Sequence, residues 1–221
     1  MFEAVLFDLD GTLADTAPDL DKALNRLRTE EGLPPLPHDF LRPFTSQGVR
    51  GLLQAGFEID PEHADYGRLS GRFLEFYAED ICSETRLFDG IPELLDTLEK
   101  TAIRWGIVTN KRTRFTTPVV AALELSHRTV CVVSGDTTAM PKPSPLPVLH
   151  ACELLGCRPQ STLFVGDDRR DIEAGKAAGT RTAAVSYGYL GDGGSPFDWH
   201  ADFVADHPRE LLDYVLGVRR A

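Results

Sequence analysis

The chain has 221 residues, with 23 Lys or Arg against 34 Asp or Glu, a formal net charge of −11, and 42% hydrophobic residues. This is the composition of a globular chain long enough to bury a real core, as one large domain or as a domain carrying an inserted module, and it excludes general disorder. The acidic balance argues against a nucleic-acid or anionic-membrane surface, because phosphate backbones attract positive patches, while a local site can still oppose the global charge and take a small anion.

The first predicted element is a strand over 4–7, Ala-Val-Leu-Phe, a continuous apolar run of the kind buried on both faces. The next strand-like run, 105–108, lies roughly 90 residues on, whereas a crossover needs about a dozen or more. The surplus must fold by itself. Within it Leu20, Ala23, Leu24 and Leu27 repeat at helical spacing, with Thr16 and Asp19 as a capping pair and Gly32 as the stop. A turn, Leu-Pro-Pro-Leu-Pro over 33–37, separates this helix from a second marked by Val49, Leu52 and Leu53, and Leu69, Phe73, Phe76 and Tyr77 mark a third. Residues 15–85 therefore read as a small helical bundle inserted after the first strand, leaving 1–14 and 86–221 as the other unit.

From there strands and helices alternate. Strands are expected at 105–108, 130–133, 162–165 and 182–185, with a weaker one at 203–205; helices are expected at 92–100, 117–125, 146–155 and 168–178. That alternation predicts an α/β fold with a doubly wound, Rossmann-like parallel sheet and right-handed crossovers. The loop 188–195, with Gly188, Gly191, Gly193 and Gly194, is expected to be mobile.

Other signals are negative. No segment reaches the about 20 apolar residues that span a bilayer, and the N-terminal run MFEAVLFDLDGT lacks the basic start of a secretion signal. Cys82 and Cys131 are isolated, and Cys152 and Cys157 are expected to point to different sides of a helix, so free thiols in a reducing cytoplasm are the expectation. The six histidines show no i, i+4 pair and no His-built metal site.

Polar residues gather at the C-terminal ends of the strands, the edge where open α/β sheets bind ligands. Asp8 and Asp10 leave the first strand and Gly11 permits the turn; such a pair is either an acidic turn or a carboxylate nucleophile with an acid/base partner. Asp167, Asp168 and Asp171 follow another strand, where one acid would suffice as a helix cap. Five carboxylates on one edge would repel, at roughly 4 kcal/mol per like pair for a separation of about 4 Å and an effective dielectric near 20. An all-oxygen set that also meets phosphate favours Mg²⁺. Lys142, between Pro141 and Pro143, offers a fixed cation or is an ordinary surface lysine, and Thr109 and Asn110 offer a hydroxyl and an amide or merely end a strand. Taken together the set reads as a phosphoryl-transfer site.

The ordered motifs DLDGT, TN, Lys142 within PKP, and GDDRRD, each after an expected strand, resemble the haloacid dehalogenase superfamily. The resemblance implies a Rossmann-like core with a helical cap inserted after the first motif. It implies Asp8 as a nucleophile forming an aspartyl-phosphate, and Asp10 as the acid that protonates the leaving alkoxide and then activates water. Thr109, Lys142 and the Asn110 backbone amide would bind phosphoryl oxygens. Mg²⁺ would be held by Asp8, Asp10 through its carbonyl, and Asp167, with Asp171 aligning with the second acid of the last motif. The cap position, VTNK and the GTRTAAVSYGY stretch look like the phosphoglycolate phosphatase group, and 45–50 with 199–208 look like a branch that includes N-acetylmuramic acid 6-phosphate phosphatases.

The expected activity is a Mg²⁺-dependent phosphomonoesterase on a small phosphorylated metabolite, phosphoglycolate phosphatase-like, in a cytoplasmic monomer or homodimer. The alternatives are an N-acetylmuramic acid 6-phosphate phosphatase, a sugar phosphomutase and a non-catalytic phosphate-binding protein. Arg50, between Gly48 and Gly51, is either a partner for a substrate carboxylate or a solvated arginine at a helix start.

Overall fold

In this computed structural model, which describes residues 2–191 and 194–218, β1 (Ala4–Phe7) is buried at every position. A tight turn leads to the two-residue β2 (Ala14–Asp15) and then into α1 (Ala17–Glu30), α2 (His38–Leu41), a 3-10 turn over Arg42–Gln47, α3 (Gly48–Phe57) and α4 (Tyr66–Glu79). The chain returns through β3 (Arg86–Leu87), which pairs antiparallel with β2, so both crossings run side by side. Beyond lie α5 (Ile91–Lys100), β4 (Arg104–Val108), α6 (Thr113–Ala122), β5 (Cys131–Val133), α7 (Leu146–Leu155) and β6 (Thr162–Gly166). The last elements are α8 (Arg169–Ala178), β7 (Arg181–Val185), β8 (Phe203–Ala205) and α9 (Pro208–Leu216).

Six strands form one parallel sheet in the order β5-β4-β1-β6-β7-β8. The α/β class and the parallel sheet are as the sequence predicts. β1 alternates its side chains between two apolar layers, Val5 and Phe7 facing α5, α6 and α9, Ala4 and Leu6 facing α7 and α8. A separate apolar cluster joins α1, α3 and α4 through Leu24, Leu27, Leu52, Leu53, Phe73 and Tyr77, and Phe115 of α6 packs into it from the sheet side.

Several local expectations are corrected. Thr16 and Asp19 do not cap α1: Thr16 makes no side-chain cap, its Oγ1 donating instead to Asp10. Asp19 is buried and accepts from Ser83 Oγ, Glu84 N, Thr85 N and Thr85 Oγ1, tying α1 to the returning segment. The helix expected at 117–125 starts earlier, after the extended Arg112, and ends before Glu124, whose φ of 59° cannot continue it. Cys152 and Cys157 do not point apart. α7 stops at Leu155, Gly156 turns left-handed, and both thiols come to the Thr162 hydroxyl. In the glycine-rich loop, Gly188 and Tyr189 are packed rather than loose, Tyr189 being 5% exposed; Gly193 lies outside the described residues. No helix among the described residues is long and apolar enough to cross a membrane.

Candidate active site

β1 sits between β4 and β6; the chain winds outward from it through β4 to β5, then crosses back to β6 and winds outward through β7 to β8, so the C-terminal end of β1 is the switch point of the sheet. Asp8 emerges there. Its neighbours at the same edge are Thr109, Asn110 and Lys111 after β4, and Asp167 and Asp168 after β6. All nine residues singled out from the sequence, Arg50 and Asp168 included, line one cavity of about 370 Å³ between sheet and helical insert.

Lys142 is no surface lysine. It is 3% exposed, and its ammonium lies 2.9 Å from Asp8 Oδ1, 2.7 Å from Asp171 Oδ1 and donates to Val108 O at 2.8 Å. The two carboxylates outweigh burial and hold it above the usual lysine range, so it is a permanent cation. Asn110 is not free to meet a ligand with its amide. Its Nδ2 donates to Lys142 O, and its Oδ1 accepts from Lys142 N, both at 2.9 Å, so the amide fixes the lysine's backbone. Thr109 is 2% exposed, and its hydroxyl accepts from Lys111 N at 3.1 Å.

Asp8, Asp167 and Asp171 bring carboxylate oxygens within 4.8 Å of one another. Burial raises all three above the usual carboxylate range, opposed at Asp8 and Asp171 by Lys142 and reinforced by their mutual repulsion; Asp171 is pushed up to about 7. Thr12 Oγ1 donates to Asp167 Oδ1 at 2.8 Å and Tyr189 N to Oδ2 at 2.8 Å, which fixes that side chain without neutralising it. Ionised together, three carboxylates against one ammonium would leave an excess of two negative charges in a buried, oxygen-only cluster. That donor set fits a hard divalent cation. Asp10 stands apart from the cluster: its Oδ1 takes Lys111 Nζ at 2.7 Å and Thr16 Oγ1 at 2.5 Å. Asp168 is also apart, capping α8 through Arg170 N at 2.8 Å and pairing with the Arg170 guanidinium.

Glycine places the acids. Gly11 has φ +82°, and a Cβ there or at Gly188 would overlap the Asp167 side chain, so the two backbones close on that carboxylate from both sides.

The insert contributes the opposite wall. Ser46 Oγ donates to Asp168 Oδ2, and Arg170 Nη2 donates to Ser46 O at 2.7 Å, joining the 3-10 turn to α8. Tyr189 Oη accepts from Thr16 N at 2.6 Å and Ala17 N at 2.9 Å and donates to Asp15 at 2.9 Å; Arg42 pairs with the same Asp15 at 2.8 Å. Phe73, Leu74 and Phe115 make the wall apolar, while Arg50 and Arg112 line it with no ion pair among the described residues. Lys111, Arg112, Arg170, Ser46 and Tyr189 were missed from the sequence. Lys111 and Arg112 directly follow the TN pair and Arg170 lies inside GDDRRD, so adjacency was the available signal; Ser46 lies within 45–50 and Tyr189 ends the GTRTAAVSYGY stretch, both family-like segments in which no single side chain stood out.

Comparison with known proteins adds three findings. A family model described as haloacid dehalogenase-like hydrolase matches residues 5–185. An N-acetylmuramic acid 6-phosphate phosphatase from Pseudomonas aeruginosa is 44% identical over 96% of this chain and 94% of its own, and a phosphoglycolate phosphatase from Xanthomonas campestris pv. campestris is 40% identical over 95% of each. Among solved structures, a predicted phosphoglycolate phosphatase from Haemophilus somnus 129pt superposes with a TM-score of 0.85 at 27% identity, covering 96% of this chain and 97% of that one.

Proposed function

The chain belongs to the haloacid dehalogenase-like hydrolases, whose similar members carry phosphatase names, and from that premise we propose that it is a Mg²⁺-dependent phosphomonoesterase working through an aspartyl-phosphate on Asp8. The observation that carries this reading is the Asp8 carboxylate at the switch point of the sheet, paired at 2.9 Å with a buried Lys142 that Asp171 also holds.

Residues 15–85 act as the cap and the sheet unit as the catalytic core. Lys142 and Thr109 take the phosphoryl oxygens and offset their charge while the anionic Asp8 approaches phosphorus. Asp10 delivers a proton to the departing oxygen and later takes one from the attacking water. Asp8 and Asp167, with the Asp10 carbonyl, would hold Mg²⁺, and Asp171 orients Lys142 beside them. The ion supplies charge neutralisation at the phosphoryl group. The apolar wall and the cap exclude bulk water, which strengthens each of these interactions.

For the leaving group, the cavity favours a substrate larger than a two-carbon acid. Its volume of about 370 Å³, its apolar wall and the unpaired Arg50 and Arg112 suit a carboxylated sugar phosphate, in line with the name of the Pseudomonas relative. Phosphoglycolate is the second reading, favoured by the same two arginines and by the name of the Xanthomonas relative.

The experiment is a kcat/KM panel with Mg²⁺ on p-nitrophenyl phosphate, 2-phosphoglycolate, N-acetylmuramic acid 6-phosphate and hexose phosphates. Turnover is expected on all phosphomonoesters, highest on the carboxylated sugar, and lost in Asp8→Asn. Arg50→Ala is expected to lose about tenfold or more on carboxylated esters only. Isomerised sugar phosphate without phosphate release would make the chain a mutase. An inert wild type would leave only phosphate binding.

A further inference from the structure

Asp10 is held asymmetrically. Both of its protein donors, Lys111 Nζ at 2.7 Å and Thr16 Oγ1 at 2.5 Å, converge on Oδ1, and Oδ2 has no protein partner among the described residues. An ammonium has donors and no acceptor. An oxygen that accepts from it cannot also carry a proton directed along the same line. A proton on this carboxyl group therefore resides on Oδ2.

We propose that Lys111 is the positioning residue of Asp10: it clamps Oδ1 so that Oδ2 carries the transferable proton. The proposal rests on the reading of Asp10 as the acid of the phosphatase reaction. Lys111 is well placed for the task. Its side chain is 9% exposed, and its ammonium lies 5.0 Å from the centroid of the Tyr77 ring of α4. The cation is thus held between a core carboxylate and a cap aromatic face. Tyr77 is itself 2% exposed and packs on Phe115 with ring centroids 5.5 Å apart, so the covering ring is fixed by the docked cap.

The proton balance closes. As the P–O bond to the leaving group breaks, Oδ2 gives its proton to the departing oxygen and Asp10 becomes a carboxylate. When water attacks the phosphorylated Asp8, Oδ2 takes a proton from that water and Asp10 is restored. Lys111 and Thr16 remain donors to Oδ1 in both halves and transfer nothing.

The test compares kcat/KM on two esters, because that ratio reports the step that expels the leaving group. p-Nitrophenoxide leaves with little help from an acid; the alkoxide of glucose 6-phosphate needs a proton. Asp10→Asn is the control and is expected to lose at least tenfold more on glucose 6-phosphate than on p-nitrophenyl phosphate. Lys111→Met is expected to show the same excess loss on the alkyl ester, and Lys111→Arg to recover most of it. Should Lys111→Met melt without cooperativity, Thr16→Val, which removes the other donor to Oδ1, is expected to show a smaller excess of the same sign. Equal losses on both esters in these variants, with the control behaving as expected, would mean that Lys111 only attracts the anionic substrate, and the proposal is overturned. A control without an excess loss overturns the acid role of Asp10 instead.

Discussion

The hydroxyl of Thr45 is buried and makes no hydrogen bond among the described residues, and its side chain borders the cavity. A buried hydroxyl left without a partner costs about 1–3 kcal/mol. Valine keeps the shape of threonine and omits the hydroxyl, so Thr45→Val is expected to raise Tm by about 2–4 °C in a thermal melt; a lower Tm would mean that the hydroxyl already has a partner. At this scale the sequence spoke clearly where chemistry and position coincide. Asp8, Asp167 and Lys142 each follow a strand end, and their residue types restrict what they can do. It was silent on direction: the Asn110 amide turns to the backbone of Lys142, and the Thr16 hydroxyl turns to Asp10, neither of which any spacing rule encodes.

Among the elements, α1 and α2 meet through Asp21 and His38. The Asp21 side chain is 6% exposed, its Oδ2 contacts His38 Nδ1, and its Oδ1 has no partner. Burial pushes this carboxyl up to about 6, opposed by His38 and Arg42. The folded state therefore keeps a proton there that the unfolded chain has already lost. The stability this contributes is present below about pH 4 and is lost as pH rises through about 6. Asp21→Asn removes the titration. The stability of wild type relative to this variant is expected to fall by about 2–3 kcal/mol between pH 4 and pH 8, read from urea unfolding at each pH. A pH-independent difference would contradict the burial argument. Periodicity revealed α1, α3 and α4 because each carries several apolar turns. It could not reveal α2 and the following 3-10 turn, four and six residues long, nor the two-residue β2 and β3. Pieces this short have no period to read, and tertiary contacts define them.

Over the whole molecule, the parallel sheet gathers acids from two strand ends and a helix start onto one buried spot. Without a cation these acids oppose folding; with one they bind it. Asp167→Asn should therefore act with opposite signs in the two conditions. In EDTA it is expected to raise Tm, because a buried acid that its neighbours Asp8 and Asp171 make costly to ionise is replaced by a neutral amide. In millimolar Mg²⁺ it is expected to lose the stabilisation that wild type gains, which is about 2.7 kcal/mol when the ion is at a hundred times its Kd. A wild type whose melt ignores Mg²⁺ would remove the ion from the site. The parallel, doubly wound sheet was legible because buried parallel strands have a plain signature and crossovers have one hand, whereas the order of its strands was not read from the sequence. The pose of the helical insert was not, since it depends on contacts such as Phe115 and Ser46 that join residues far apart in sequence.

The pairing of β2 with β3 has one more consequence. Ala14 lies opposite Leu87 and Asp15 opposite Arg86, so the insert begins and ends at a single doorway. A foreign segment with the same spacing between its ends could be spliced in at that doorway while β1, β4 and β6 keep their register. Such an exchange would take Thr16 and Tyr77 with it, the residues that meet Asp10 and Lys111, so a working replacement has to bring equivalents of both.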